Sequence, residues 1–456
     1  MAAVVLTRKK KYRLLEGHPW IYRTEIERLE DEPQAGDLVQ VKNHLGAILA
    51  VGYYNPQSMI TVRIVAYEPI EVMDEAFFYT RIAEAWAHRS RFLGGTADSC
   101  RAVYGEADFL PGLIVDKYAD TLVVQILTLG MELRRAAIVG ALKRVFSPVC
   151  IYERSDVSVR ELEGLEQTTG VLYGELNNPV QIEENGLLLE VDIVNGQKTG
   201  YFFDQRENRA AIAPLMKGWG GRSGIALQPV AVAGEGNQTS LQPVNNNGSV
   251  VTFPYWDGAT VLECFAHTGS FTLHACKYGA KKVTCLDVSE HAVTQAKRNV
   301  ALNGFSDRVE FVVADAFEYL REQVRGLDER RQRASGKADT SKKLTQAGRT
   351  WDVVILDPPA FTKSKDAVAG ALRGYKDINL QALKLVNEGG YLVSASCSYH
   401  VRPEMFMNTI LSAAVDAGKV LRLIEFHGAG KDHPHIHGVD EGHYLKFAIF
   451  EVRSRA

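Results

Sequence analysis

Cysteine is scarce in this 456-residue chain and never doubled: the six cysteines, at 100, 150, 264, 276, 285 and 397, form no Cys-x-x-Cys pair. This argues against a disulfide framework and a four-cysteine zinc site, and fits a chain kept in a reducing cytoplasm. Long apolar runs are missing too. None reaches the roughly 20 residues that span a bilayer, so no membrane partner is expected. The opening "MAAVVLTRKKKYR" sets a short apolar stretch ahead of its charges, the reverse of a secretory signal. Neither sign of charge dominates; the net value of −3 implies no bulk affinity for nucleic acid. There is no Gly-x-Gly-x-x-Gly fingerprint in the glycine turn near residue 269, where only Gly269 is present, and no His-Glu-x-x-His. The histidines of "KDHPHIHGVDEGHYLK" (433, 435, 437 and 443) lack metal-ligand spacing and a nearby cysteine, so no metal is expected.

What is present is an ordinary globular composition, 46% hydrophobic and 23% charged, on a chain too long for one core. Residues 1–72 read as a small β-rich unit, with "DLVQVKN", "AILAVGYYN" and "MITVRIV" alternating or running apolar at strand length. In 73–180, a helical stretch at "DEAFFYTRIAEAWAHRSRFLGG" precedes paired strands and a helix near 131–145. From Val261 onward strands alternate with helices, which implies a parallel sheet covered on both faces, in a part spanning 181–456. Two stretches break this rhythm. Residues 218–250 are rich in Gly, Asn and Gln and nearly uncharged, and are expected to be a flexible loop. Residues 321–349 are dense in Lys and Arg; they are expected to be a surface insertion, with an RNA-facing arm as the alternative. The basic run "RKKKYR" at 8–13 is either a solvated face or a phosphate contact.

"VLECFAHTGSFTLHA" is an apolar strand closed by a glycine turn into a helix, which brings backbone close to a ligand at the strand's carboxyl end. Acids stand at successive strand ends. Asp287 ends "KKVTCLDVS", where a carboxylate can accept both hydroxyls of a ribose. Asp315 follows "VEFVVADAF", where it can hold an adenine amino group, and Asp357 ends "WDVVILDPP". Each can also simply cap the helix after it. Together the array resembles the class I S-adenosylmethionine methyltransferase fold. Upstream, "NGQKTGYFFDQRENR" (195–209) reads on its own as a helix start, with Asp204 as N-cap and Glu207 completing a capping box.

That stretch, with "LDPPAF" and "SCSYH", is similar to the 23S ribosomal RNA methyltransferase I family; "GHPWIYRTEI", "GYYNPQSMITVR", "LPGLIVDKY" and "YERSD" extend the resemblance over nearly the whole chain. The resemblance implies a Rossmann-like methyltransferase sheet at the C-terminus, a PUA-like RNA-binding domain at the N-terminus and a central α+β domain. It implies S-adenosyl-L-methionine as methyl donor and a base of 23S ribosomal RNA, or a large-subunit precursor, as target; a homodimer is compatible with it. Carried over residue by residue, it places cofactor contacts at Lys198, Thr199, Phe202, Asp204, Arg206, Phe265, Gly269, Asp287, Val288, Asp315, Ala316 and Asp357.

In "LVSASCSYHV", Cys397 is either a buried thiol or a nucleophile. C5 of cytosine reacts poorly until a thiolate adds to C6 and converts the ring into an enamine. Cys397 ends the strand after "LDPPAF", so both should open on one crevice, and the family's Ser-Cys-Ser motif points to the nucleophile. Its thiol must lose a proton, and His400 is a candidate to help. Asp357 is expected to hold the cytosine N3/N4 edge. Pro358 and Pro359 should stiffen that loop, and Phe361 can stack on the base. Ala360 stands where two-cysteine RNA cytosine methyltransferases have their second cysteine. Two rivals remain. The Asp-Pro-Pro loop also suits methylation of a guanine nitrogen (N7 or N2), which needs no cysteine. A non-catalytic RNA-binding or ribosome-assembly factor is the other, though it has no use for Gly269, Asp287, Asp315 and Asp357.

Overall fold

The computed structural model describes every residue except 10, 95–97, 218–226, 232–238, 245–246, 251–257, 336–347, 363, 440–441 and 456. The chain divides into two compact units, Met1–Arg206 with Gly430–Gly442, and Glu207–Ala429 with His443–Ala456.

In the first unit, a six-stranded sheet runs in the order Trp20–Tyr22, Ile60–Ala66, Ile48–Tyr54, Leu38–Lys42, Ala3–Leu6, Ile26–Glu30. Val4, Leu6, Val39, Val41, Val62 and Ile64 form its core. A five-stranded sheet follows, ordered Thr168–Gly174, Cys150–Ser155, Thr121–Ile126, Leu113–Tyr118, Cys100–Tyr104. Helices Glu75–Leu93 and Arg135–Phe146 bury Phe78, Ile82, Ile138 and Leu142 in the core of this layer. The first of them begins where Asp74 accepts the Phe77 N–H at 3.0 Å. The two sheets belong to one body because buried charge joins them. Arg63 donates to Glu106 at 3.1 Å and to Glu163 at 2.9 Å, and Trp20 Nε1 reaches Glu106 at 2.8 Å. Stripping Arg63 of those carboxylates would strand a buried guanidinium.

Gly430–Gly442 joins this unit from far along the chain. Asp432 is fully buried and accepts the Arg101 N–H at 3.0 Å, while its carbonyl takes the Arg89 guanidinium at 3.0 Å. Burial alone would raise the Asp432 carboxyl. His433, bonded to it at 2.8 Å, together with Arg206 and the Arg101 N–H, outweighs burial and holds it below its usual range.

The second unit is built on a seven-stranded sheet. Its elements are β1 (Thr260–Cys264), α1 (Ser270–Lys277), β2 (Lys282–Asp287), α2 (Glu290–Leu302), β3 (Val309–Val313), α3 (Ala316–Ala334), β4 (Trp351–Leu356), α4 (Val368–Leu385), β5 (Val386–Ser396), α5 (Pro403–Asp416), β6 (Lys419–His427) and β7 (Lys446–Ser454). The strand order is β3-β2-β1-β4-β5-β7-β6. β1 to β5 are parallel, and β7 runs antiparallel between β5 and β6. β4 is buried along its whole length, as an apolar strand covered on both faces must be. The direction of winding reverses between β1 and β4, which opens a crevice at their carboxyl ends.

Both irregular stretches hold more structure than their composition implies. Residues 321–334 continue α3, because Leu320, Val324 and Leu327 recur at helical spacing and pack into the core; the charges around them pair along the helix, Arg331 with Asp328 at 3.7 Å. Within 218–250, Leu227–Ala231 pairs antiparallel with Thr239–Pro243 as a hairpin. The rest of the two expectations falls largely outside the described residues.

Candidate active site

The chain leaves β1 through three residues with positive φ: Phe265 (64°), His267 (48°) and Gly269 (77°). Gly269 is needed twice over, since a Cβ there would also lie 3.0 Å from the Ala296 methyl. The turn is tied to β2, whose Asp287 accepts the His267 N–H at 2.8 Å and the Ser289 N–H at 2.9 Å. A carboxylate has about four acceptor positions, so two remain for a ligand's hydroxyls. Val288 beside it is 68% exposed. At the end of β3, Asp315 is exposed and accepts the Glu318 N–H at 3.0 Å, capping α3, with Ala316 buried behind it. Capping and ligand contact are compatible here. The structure thus brings Phe265, Gly269, Asp287, Val288, Asp315, Ala316 and Asp357 to one edge of the sheet, a set suited to a nucleoside.

One acid there escaped the sequence reading. Glu263 on β1 is buried and accepts the Thr272 N–H at 2.7 Å and the Thr272 hydroxyl. Burial pushes its carboxyl up to about 8, and the charge of Asp357 adds to that. An acid inside an apolar strand was the available signal.

Cys397 follows the last residue of β5. It is the one cysteine of the six that is not buried, and its sulfur lies 3.8 Å from the Pro358 carbonyl. The other five thiols are pushed up by burial, Cys100 and Cys276 to about 12. The flanking serines explain how the motif is held. Ser396 donates to the Tyr375 hydroxyl at 2.8 Å, that hydroxyl bonds Ser398 Oγ at 2.9 Å, and Ser398 Oγ accepts the Phe361 N–H at 3.0 Å. One buried chain of hydroxyls therefore joins β5, α4 and the Asp-Pro-Pro loop. Pro358 is buried and Pro359 exposed. Phe361 is half-buried, its ring 4.5 Å from Tyr375 and 5.8 Å from Phe317, so only its outer part can meet a base. His400 packs edge-on against Tyr399. Lys446, a cation from β7, is buried and donates to the Ser398 carbonyl at 2.7 Å.

Lys198, Thr199, Phe202, Asp204 and Arg206 lie in the first unit. Lys198 donates to Asp204 at 3.2 Å and sits 4.4 Å from the centre of the Phe202 ring. Thr199 is buried and donates to Asp116. Arg206 is buried between Glu184, at 3.5 Å, and Asp432, at 3.8 Å. Asp204 is not an N-cap. It lies inside the 3₁₀ turn Phe203–Gln205, buried against Lys198, because that turn starts two residues earlier than the capping pattern implies.

Residues 4–67 match a PUA-like domain family and residues 256–428 a methyltransferase domain family. The chain is 36% identical over 454 residues, 99% of each chain, to a protein of Pseudoalteromonas translucida named ribosomal RNA large subunit methyltransferase I. It is 36% identical over 446 residues, 97% of each, to the protein of the same name in Shigella boydii. Among solved structures, a SAM-dependent methyltransferase from Streptococcus mutans matches 99% of this chain and 100% of its own, with a TM-score of 0.71 at 17% identity. A methyltransferase solved with SAH matches the same shares with a TM-score of 0.72 at 18% identity. At such identities the likeness is one of fold.

Proposed function

Because the chain belongs to the ribosomal RNA large subunit methyltransferase I family, we propose that it methylates a cytosine at C5 through a covalent bond from Cys397. Membership makes it a ribosomal RNA methyltransferase with S-adenosyl-L-methionine as cofactor. The proposed setting is the cytoplasm, with the PUA-like residues 4–67 engaging the RNA. The observation that carries the cytosine reading is Cys397 itself. Alone among the cysteines it escapes burial, it stands at a strand end, and it is held against the Asp-Pro-Pro loop.

When bound at the strand ends, S-adenosylmethionine supplies an electrophilic methyl group. Asp287 is suited to hold the ribose and Asp315 the adenine amino group, with Phe265 and Gly269 shaping the turn beneath. Asp357 orients the cytosine through its N3/N4 edge. The Cys397 thiolate adds to C6, and the displaced electron pair makes C5 nucleophilic. C5 then takes the methyl group. Loss of the C5 proton to a base lets the C6–S bond break and returns the thiolate. Ala360 occupies the position where a second cysteine would stand, so no second thiol follows Asp357 at that spacing.

Cys397→Ala should abolish methyl transfer while S-adenosylmethionine and RNA still bind. RNA with 5-fluorocytosine at the target should trap an adduct on the wild type alone, since fluorine cannot leave as the proton does. Near-normal turnover in Cys397→Ala would overturn the reading and favour methylation of a guanine nitrogen.

A further inference from the structure

We propose that Lys446 is the positioning residue that keeps Cys397 ionised, a buried ammonium whose charge is completed by the sulfur as thiolate. The proposal rests on Cys397 being the attacking group. Lys446 opens β7 and pairs directly across from Ser396, the residue before Cys397. Its Nζ reaches the carbonyl of Ser398, the residue after Cys397, at 2.7 Å, and the carbonyl of Tyr444 at 2.7 Å. Lys446 is thus tied to both neighbours of the cysteine, by its strand position to Ser396 and by its ammonium to Ser398.

Lys446 is 1% exposed, and it interrupts the run "YLKFAIFEV". An ammonium carries three protons, and the two carbonyls take two of them. Among the described residues no carboxylate lies within ion-pair distance of it. Two neutral dipoles poorly repay the desolvation of a full charge, so a buried lysine without an acid is costly unless another anion stands near. The sulfur of Cys397 is that anion: burial lowers the ammonium, to about 8 overall, and the charge of Cys397 already opposes that fall. The relation is reciprocal, since a cation that a thiolate stabilises must stabilise the thiolate. Titratable groups on the adjoining elements include Tyr375 on α4, Asp357 at the end of β4, His400 beyond β5, and on β6 Glu425 and His427, which pair with each other at 3.2 Å. Burial holds the Tyr375 hydroxyl neutral, a carboxylate at Asp357 would oppose the thiolate, and His400 packs edge-on against Tyr399; Lys446 is the cation bonded to the backbone beside the cysteine.

A purely structural Lys446 would only tie two carbonyls, and glutamine can donate to a carbonyl without charge. The test is therefore alkylation of the whole folded protein by iodoacetamide across a pH series, read on the Cys397 peptide by mass spectrometry. In the wild type the Cys397 thiol should titrate below the ~8.5 of a free cysteine. In Lys446→Gln and Lys446→Met it should rise by about one unit or more, which is roughly a tenfold loss of thiolate at neutral pH. Lys446→Arg should restore part of the shift. A Lys446→Gln profile like the wild type would overturn the proposal, and so would a wild-type thiol titrating at or above the ordinary value. The second result needs no variant to fold. Retained methyl transfer in Cys397→Ala would instead sink covalent catalysis without altering these alkylation curves.

Discussion

Tyr375→Phe removes one oxygen from a fully buried site and leaves the ring contacts with Phe361 and Phe406 in place. What disappears is the centre of the hydroxyl chain: the acceptor for Ser396 at 2.8 Å and the partner of Ser398 at 2.9 Å. Two buried hydrogen bonds contribute ~1 kcal/mol each, and the Ser396 hydroxyl proton left without its acceptor costs up to about 1 kcal/mol more, giving a loss of roughly 2–3 kcal/mol. For a unit of this size, that is a fall of about 4–12 °C in the melting temperature of the second unit. The functional loss should be larger than the stability loss suggests. Both serines flank Cys397, and a misplacement of ~1 Å at a reacting atom can cost about a hundredfold. The assay pairs calorimetric melting with single-turnover methyl transfer, and calorimetric S-adenosylmethionine binding serves as control. Stability should drop, turnover should drop further, and cofactor affinity should stay unchanged. A destabilised variant with wild-type turnover would refute the claim that this chain positions the cysteine. No change in either would refute the chain itself.

Asp287→Ala should weaken S-adenosylmethionine binding more than about tenfold, because a bidentate charged contact is lost; unchanged affinity in the folded variant would remove Asp287 from the site. Glu263→Gln tests the buried acid through pH. Its carboxyl, raised by burial to about 8 from an unfolded value near 4.5, binds more protons when folded across that window. Wild-type stability should therefore fall as pH rises from about 4.5 to 8, relative to Glu263→Gln, in the cofactor-free protein. Parallel pH–stability curves would show that Glu263 ionises normally.

The parts legible in the sequence were those whose signal is local. Asp287, Asp315 and Asp357 each end an apolar strand, so strand periodicity alone placed them on one edge. The glycine turn after β1 was legible for the same reason. Tyr375 and Lys446 were not, because their meaning depends on which strands and helices end up adjacent. Lys446 meets the two serines that flank Cys397 only because β7 inserts antiparallel next to β5, and no period within either segment encodes that neighbour. Charge misled in one place: the arginines of α3 hid the stripe of Leu320, Val324 and Leu327 that makes it a helix. At Asp204 a local pattern was real but shifted, since Lys198 and burial fix the carboxylate in a role other than capping.

The placement of Gly430–Gly442 has a consequence for the order in which the molecule can be made. A chain leaves the ribosome from its N-terminus, and domains generally fold as they emerge. Here the first unit cannot finish that way. Arg89, wholly buried, waits for the carbonyl of Asp432, and the Arg101 N–H waits for its carboxylate. Those partners are synthesised only when nearly all of the 456 residues have been joined. The N-terminal unit is therefore among the last to close. A substitution in the final tenth of the chain, at Asp432 or His433, would register as a folding defect in the half translated first.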